Sequence, residues 1–400
     1  MKSHKSILLF LFTLIFFSCA HAPRMQVEAG RESAAETSKE EAPFHEAATP
    51  VPQPRTDHVT IIAAGDNLYH DVMMRDGEEG DYESAYSEIK SLLLKADIAF
   101  INQETLLAGG SFGFSGYPRF NAPQALGRAV AAAGFSVVNH ATNHIMDRGE
   151  EAVIATLEFW DSVPGITVLG IRRSEEERSR PVLMTKNNIT VGFLSYTYGT
   201  NGIPVPEDRD FLVSLIDTGI MEGEIDALRP LCDFLVVSMH WGEEYSGSYS
   251  REQEKLAAFL AEHLVDLVIG HHPHVLQSVE LIPRPDGENM LCFYSLGNLI
   301  SAQTQNAALL GALAYVKIEK ISFPQGERAR IAEAGAIPTV THYEKNYSNF
   351  RVYSLYDYTE ELLQNHRKNQ EKKELTLEYL KGLATGVLKD RELRSDPFDF

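Results

Sequence analysis

The sequence predicts an α/β protein with mixed sheets. Short β-branched and apolar runs alternate with amphipathic stretches over residues 58–330, the order produced when helices cover a sheet. Two pairs of runs, around 182–195 and 291–318, have no helix between them, so the sheets are not purely parallel. Run after run also ends in Asp, Glu, Asn or His, and the carboxyl ends of strands are where α/β proteins assemble their sites.

The first residues read as an export signal. Lys2 and Lys5 precede a nearly all-apolar Ile7–Phe17, which is too short for a good membrane span. Cys19 follows Phe16-Phe17-Ser18, similar to the lipobox of bacterial lipoproteins, in which the cysteine is lipidated. Cleavage after Ala20 or Ala22 is the other reading. Both put the working domain outside the cytoplasm, and the first anchors it to a membrane of the cell envelope. We therefore divide the chain into a signal over 1–18, a disordered Ala/Glu/Ser/Pro-rich tether over 19–57, a domain over 58–330 and a partly helical C-terminal extension over 331–400.

Within the domain, Val59–Ala64 is a strand by its β-branched and small residues, and Gly65-Asp66 ends it. Helical spacing over Glu83–Leu94 leads to a strand at Asp97–Ile101, which ends in Asn102-Gln103-Glu104. After a Gly- and aromatic-rich loop, Pro123–Ala133 is a helix. Phe135–Val138 is the next strand, ending in a segment with Asn143, His144 and Asp147. Helix Glu150–Ser162 stops before Pro164 and strand Ile166–Leu169 follows. Ile189–Ser195 is paired with Val182-Leu183 across Lys186-Asn187-Asn188. Helix Gly219–Leu228 and strand Phe234–Ser238 lead to His240; helix Ser250–Glu262 and strand Leu267–Ile269 lead to His271, His272 and His274. Met290–Tyr294 and Ala308–Ile318 are further strands. Beyond them Val352–Tyr356 reads as a strand, and Glu360–Gln370 and Thr376–Leu388 as charged helices.

The chain has 400 residues and a net charge of −20, from 36 Lys and Arg against 56 Asp and Glu. Such a balance excludes a nonspecific nucleic-acid binder. An anionic substrate would need local positive charge, which metal ions provide. Of the three cysteines, Cys232 and Cys292 lie in or beside apolar runs and read as buried thiols.

The polar residues at the strand ends suit one or two divalent ions, Mn, Zn or Fe. Two ions about 3.5–4 Å apart clamp a hydrolytic displacement and generate a hydroxide from bound water. Glu104 suits the bridging position, Asp66 and His274 the first ion, and His240 and His272 the second. Asn143 offers a neutral carbonyl oxygen. His144 is placed to protonate a leaving group, with Asp147 three residues on to orient it. Trp241 and Tyr245 are candidates for a ligand wall, Glu243 for orienting His240, and Arg119 or Arg148 for holding a substrate carboxylate. The plain alternative is a His-rich surface loop around 271–274.

Gly65-Asp66, Asn102-Gln-Glu104, Ala141-Thr-Asn143-His144-Ile-Met-Asp147-Arg-Gly149, Tyr196-Thr-Tyr-Gly-Thr-Asn-Gly202, Met239-His240-Trp-Gly-Glu-Glu244, Gly270-His-His272-Pro-His274-Val-Leu-Gln277 and Ser295-Leu-Gly-Asn298 together resemble the CapA family. These are capsule synthesis proteins linked to poly-gamma-glutamate, also called PgsA-like. The resemblance spans residues 58–302. It implies the four-layer α/β/β/α sandwich of the calcineurin-like metallophosphatases, with a two-metal site. Two departures stand out. That pattern has a histidine two residues after the first aspartate, where this chain has Leu68, and its bridging aspartate is Glu104 here. His70 is a candidate substitute ligand. The implied function is an extracytoplasmic metal-dependent hydrolase of a phosphoester or a gamma-glutamyl amide in an anionic envelope polymer. The alternative is a noncatalytic polymer-binding or export subunit working with membrane-bound capsule synthesis partners.

Overall fold

A computed structural model describes residues 55–323 and 326–398, which fall in one compact unit. The export signal, Cys19 and all but the last three residues of the expected tether lie outside the described residues. Those three, from Arg55, already belong to the first strand and pair with residues up to Ser322.

Strands β1 (Arg55–Asn67), β2 (Ile98–Gln103), β3 (Val137–Asn139) and β4 (Thr167–Leu169) run parallel in one sheet. Strands β5 (Leu183–Lys186), β6 (Ile189–Thr197), β7 (Phe234–His240), β8 (Leu267–His271), β9 (Val279–Pro283) and β10 (Asn289–Phe293) form a second sheet, ordered β5-β6-β7-β8-β10-β9. The chain then returns to the first sheet with β11 (Asn298–Ile300), β12 (Leu310–Phe323), β13 (Gly326–Glu344) and β14 (Ser348–Ser354). That sheet is ordered β14-β13-β12-β1-β2-β3-β4, with β11 also on β1. Both sheets are mixed: β12 to β14 add antiparallel to one, and β5 and β9 to the other.

Alternation along the strands sorts side chains into layers. Ile61 and Ala63 of β1 share a buried cluster with Val191, Phe193, Val236 and Ile269 of the other sheet. Ile62 and Ala64 face the opposite way, onto Leu92, Leu126, Val130 and Trp160. The far face of the second sheet packs Leu235 and Val237 against Met221, Ile225, Leu256 and Leu260. The layers are therefore α/β/β/α. Each fully buried Leu, Ile or Phe in them contributes roughly 1.5–3 kcal/mol of transfer free energy.

Several elements differ from the sequence reading. Residues 83–94 split into a short turn and the helix Lys90–Lys95. Strand β9, with alternating half-buried residues, had no clear apolar run. The helix expected over 360–370 breaks at His366 into Glu360–Asn365 and Arg367–Glu371, because the His366 ring accepts from the Lys368 amide and starts a new helix. The boundary expected at 330 falls inside β13, which pairs with β12 along almost its whole length. Leu363, Leu375, Leu380, Ala384 and Leu388 join the core between the sheets, so the described part of the C-terminal extension packs on the domain. Cys232 and Cys292 are free thiols.

Two buried histidines tie stability to pH. Trp160 Nε1 donates to His140 Nε2 at 2.8 Å, and burial pushes the His140 pKa from 6.5 down to about 3. Burial also lowers His366 to about 3, aided by the neighbouring His342. Both folded-state values lie below the unfolded value, so the unfolded chain binds more protons in this window. Stability present above pH 6.5 should fall steadily as the pH drops from 6.5 toward 3. Thermal midpoints across this range measure it, and His140→Gln, which keeps an acceptor for Trp160, should flatten the slope.

Candidate metal centre

The site lies between the sheets, at the carboxyl ends of β1, β2, β3, β7 and β8. Strict alternation would turn Asp66 to the side of Ile62 and Ala64. The β1–β2 register shifts between Ala64 and Asp66, and such an irregularity re-aims a side chain. Two glycines allow the backbones to close in. A Cβ at Gly65 would lie 2.0 Å from the Gly297 carbonyl oxygen, and one at Gly270 would lie 2.0 Å from that of Tyr294.

Asp66 is fully buried and accepts from Asn102 Nδ2 at 2.8 Å. Its other oxygen lies 2.9 Å from His274 Nδ1 and 3.3 Å from the His272 amide nitrogen. Burial works against its charge, but the neighbouring His271 and His274 win and hold it well below the usual carboxylate range. Glu104 behaves oppositely. Both of its carboxylate oxygens are buried with no hydrogen-bond partner. Burial raises its pKa well above the ordinary value despite His274 nearby. Around Glu104 Oε1 stand three imidazole nitrogens from three segments: His240 Nε2 at 3.8 Å, His274 Nε2 at 3.8 Å and His144 Nε2 at 4.0 Å.

His240 is held by amides. Its Nε2 is 2.9 Å from Asn143 Oδ1 and its Nδ1 3.5 Å from Asn102 Nδ2. Asn139 Nδ2 in turn donates to Asn102 Oδ1 at 2.7 Å. Burial and the charge of His272 lower the His240 pKa well below its ordinary value. His272 is lowered to about 3, first by burial and then by His274. Burial opposes protonation of His274 too, yet Glu104 and Asp66 lift it to about 9. His272 and His274 adopt φ of 95° and 60°, conformations costly for residues with a side chain. Such strain is typical where backbone is bent to serve a site.

His144 Nδ1 lies 2.7 Å from Asp147 Oδ2, which also accepts from the Phe120 amide at 2.7 Å. The Phe120 ring packs edge-on against His144, with centroids 4.6 Å apart. Both residues border a cleft of about 680 Å³ that also takes in Leu68, His70, Arg119, Glu244, Tyr245 and His274. The loop carrying Glu244 and Tyr245 is pinned from behind. Gln253, part of a capping box with Ser250, donates to Gln277, and Gln277 donates to the carbonyls of Ser246 and Ser248.

The expected ligands Asp66, Glu104, Asn143, His240, His272 and His274 thus come together, with His144 and Asp147 at the cleft. Glu104, His272 and His274 form one group whose ligand atoms lie within 4.8 Å of one another, and Asp66, Glu104 and His240 form a second. Orphaned carboxylate oxygens ringed by imidazole nitrogens suit a divalent cation of the Mn, Zn or Fe kind. Leu68 is buried at the cleft and offers no donor, whereas His70 lines the cleft with a partnerless Nδ1. Other expectations change. Trp241 is buried in the outer core and donates to the Tyr294 carbonyl, so it is no ligand wall. Asn143 and Asn102, not Glu243, hydrogen-bond His240. Arg148 donates to Ser115 and the Arg119 carbonyl instead of facing the cleft.

Three residues carry roles at the site that the sequence reading did not assign them. His271 is fully buried 3.6 Å from Asp66 Oδ1, with both ring nitrogens unpartnered. It shares a strand face with Ile269, and period-two counting from that residue would have flagged it. Asn102 bridges Asp66 and His240. Asn201 accepts from Asn143 and lies 3.2 Å from His144 Nδ1. Nothing in the local sequence marked either role.

Residues 60–303, more than half of the chain, match the bacterial capsule synthesis protein PGA_cap family. The chain belongs to that family. A capsule biosynthesis protein CapA of Bacillus anthracis is 30% identical over 191 residues, 46% of this chain and 45% of that one. A PGA biosynthesis protein CapA of Bacillus subtilis (strain 168) is 29% identical over 192 residues, 44% of this chain and 46% of that one. This PGA_cap chain therefore spans less than half the length of these two relatives. Among solved structures it is similar to the NAD nucleotidase of Haemophilus influenzae, at 12% identity and a TM-score of 0.43, over 86% of this chain and 65% of that one. That likeness is too loose to bear on the chemistry. Among the described residues no helix is long and apolar enough to cross a membrane.

Proposed function

We propose that this PGA_cap chain is a metal-dependent hydrolase of the cell envelope, cleaving a phosphoester or a gamma-glutamyl amide in an anionic polymer. The observation that carries the reading is Glu104, a buried carboxylate without a hydrogen bond and ringed by imidazoles from three segments. Burying such a group costs several kcal/mol unless a cation compensates it. Asp66, Glu104, Asn143, His240, His272 and His274 would hold one or two divalent ions, with His271 beside Asp66. When bound, a divalent ion lowers the pKa of water and offsets negative charge on the substrate.

The chain's own groups supply the rest. Asn102 and Asn143 fix the His240 ring, so the ligand geometry is set before substrate arrives. His144 Nδ1 bonds to Asp147, which turns Nε2 toward Glu104, and the imidazolium form of the ring can give its Nε2 proton to a departing oxygen or nitrogen. Arg119, on the cleft lining, is the cation nearest to hand for an anionic chain. The two named CapA relatives support capsule or poly-gamma-glutamate as the setting. The export signal and Cys19 read from the sequence support a site of action outside the cytoplasm, anchored at a membrane beside capsule synthesis partners.

The test is turnover by the full chain, stripped of metal and then reloaded with Mn²⁺ or Zn²⁺. A phosphodiester reporter or poly-gamma-glutamate should be hydrolysed by the reloaded protein and spared by the stripped one. Inertness of the reloaded protein toward both substrates overturns the reading.

A further inference from the structure

A second cleft of about 640 Å³ lies between β6 and the helix Thr218–Leu228, and it shares no lining residue with the metal cleft. We propose that it binds a small organic monoanion with an apolar body, of the medium-chain carboxylate class, through Arg172 and Ser195. This site is independent of the hydrolase reading.

The charges around the cleft single out Arg172. Arg178 is matched by Glu224 at 3.0 Å, Asp210 at 3.4 Å and Glu175 at 3.7 Å. Arg180 is matched by Glu176 at 2.7 Å. The other oxygen of Glu224 accepts from Tyr196 at 2.6 Å. Arg172 is half-buried, and among the described residues its guanidinium makes one hydrogen bond, to the carbonyl of the adjacent Ile171 at 2.7 Å. Among the described residues no carboxylate lies within 4.0 Å of its guanidinium. A guanidinium has five donors and strongly favours a planar two-oxygen partner. Ser195 supplies the independent mark: it is only 5% exposed and its hydroxyl has no hydrogen-bond partner. Buried hydroxyls left unpaired are uncommon and call for an explanation.

One unmatched cation and one idle hydroxyl suit a single carboxylate. The neighbouring Glu175, Asp210 and Glu224 would repel a doubly charged phosphate. Val182 and Leu228 add apolar wall between these charged groups. At the mouth Ile220 and Leu231 are 38% and 51% exposed, an apolar lip for an aliphatic chain.

Calorimetric titration of the full chain with octanoate tests this. We expect saturable binding at one site per chain, weakened about tenfold or more in Arg172→Gln, as charge-assisted hydrogen bonds are lost. Gly223→Leu is the second variant. Gly223 lines the cleft, and a Cβ there meets nothing within 4 Å, so an added side chain starts into open space. It should abolish binding and leave thermal stability equal or higher, since glycine is a poor helix residue. The proposal is overturned if octanoate fails to bind, if octanol or inorganic phosphate binds as well as octanoate, or if Gly223→Leu binds like the parent chain.

Discussion

Replacing Glu104 by glutamine is expected to stabilise or spare the metal-free protein while removing most of its metal affinity. In the metal-free chain, burial already drives this carboxyl toward its protonated form. Glutamine has nearly the same shape as that neutral acid and carries no charge to desolvate, so the thermal midpoint of stripped protein should hold or rise. A cation sees the reverse. It loses the one carboxylate common to both ligand groups. Loss of outer partners alone costs roughly 10–100-fold in metal affinity, so a direct ligand should cost at least about a hundredfold. Metal content after dialysis against a limiting chelator, read beside unfolding of the stripped protein, separates the two effects. Glu104→Gln protein that keeps its metal, or that unfolds like an ordinary core-damaged variant, would refute the bridging role.

His144→Ala should lower kcat by about 10²–10⁴-fold, the usual worth of a positioned proton donor, and leave the metal content intact. Asp147→Asn should fall in the same direction by less, because Asp147 acts through the ring it holds at 2.7 Å. Leaving-group dependence distinguishes chemistry from mere damage. A substrate whose leaving group needs no proton, such as a nitrophenyl ester, should lose far less rate in His144→Ala than an alkyl ester does. An equal loss on both would assign the proton to another group. Loss of metal in the same variant would make His144 a ligand instead, a possibility that its 4.0 Å approach to Glu104 makes worth measuring.

Much of this could be read from the chain because strand ends and site coincide. Asp66, Glu104, His240 and the pair His272 and His274 each close an apolar run, so finding the runs finds the residues. The hairpin joining β5 and β6 was equally open: Asn187 and Asn188 take φ of 46° and 64°, as a two-residue turn between twisted strands requires. What stayed hidden depends on side-chain direction and on distant partners. Asp66 reaches the histidines through a register shift that periodicity does not contain. Asn102 and Asn201 matter only as connectors between segments far apart in sequence. The C-terminal extension reads as charged helices because its apolar positions are sparse, and which surface those few bury is set by distant strands of the central core.

The family match stops at residue 303, but β1, which carries Asp66, does not stop drawing support there. From Arg55 to Ala64 its whole flank is hydrogen-bonded to β12, residues 313–322. Trimming the chain to its recognisable portion for expression would leave that flank bare, a long open edge of the kind that recruits other chains. Such a fragment should be recovered as aggregate, and its inactivity would say nothing about the catalytic residues it still contains.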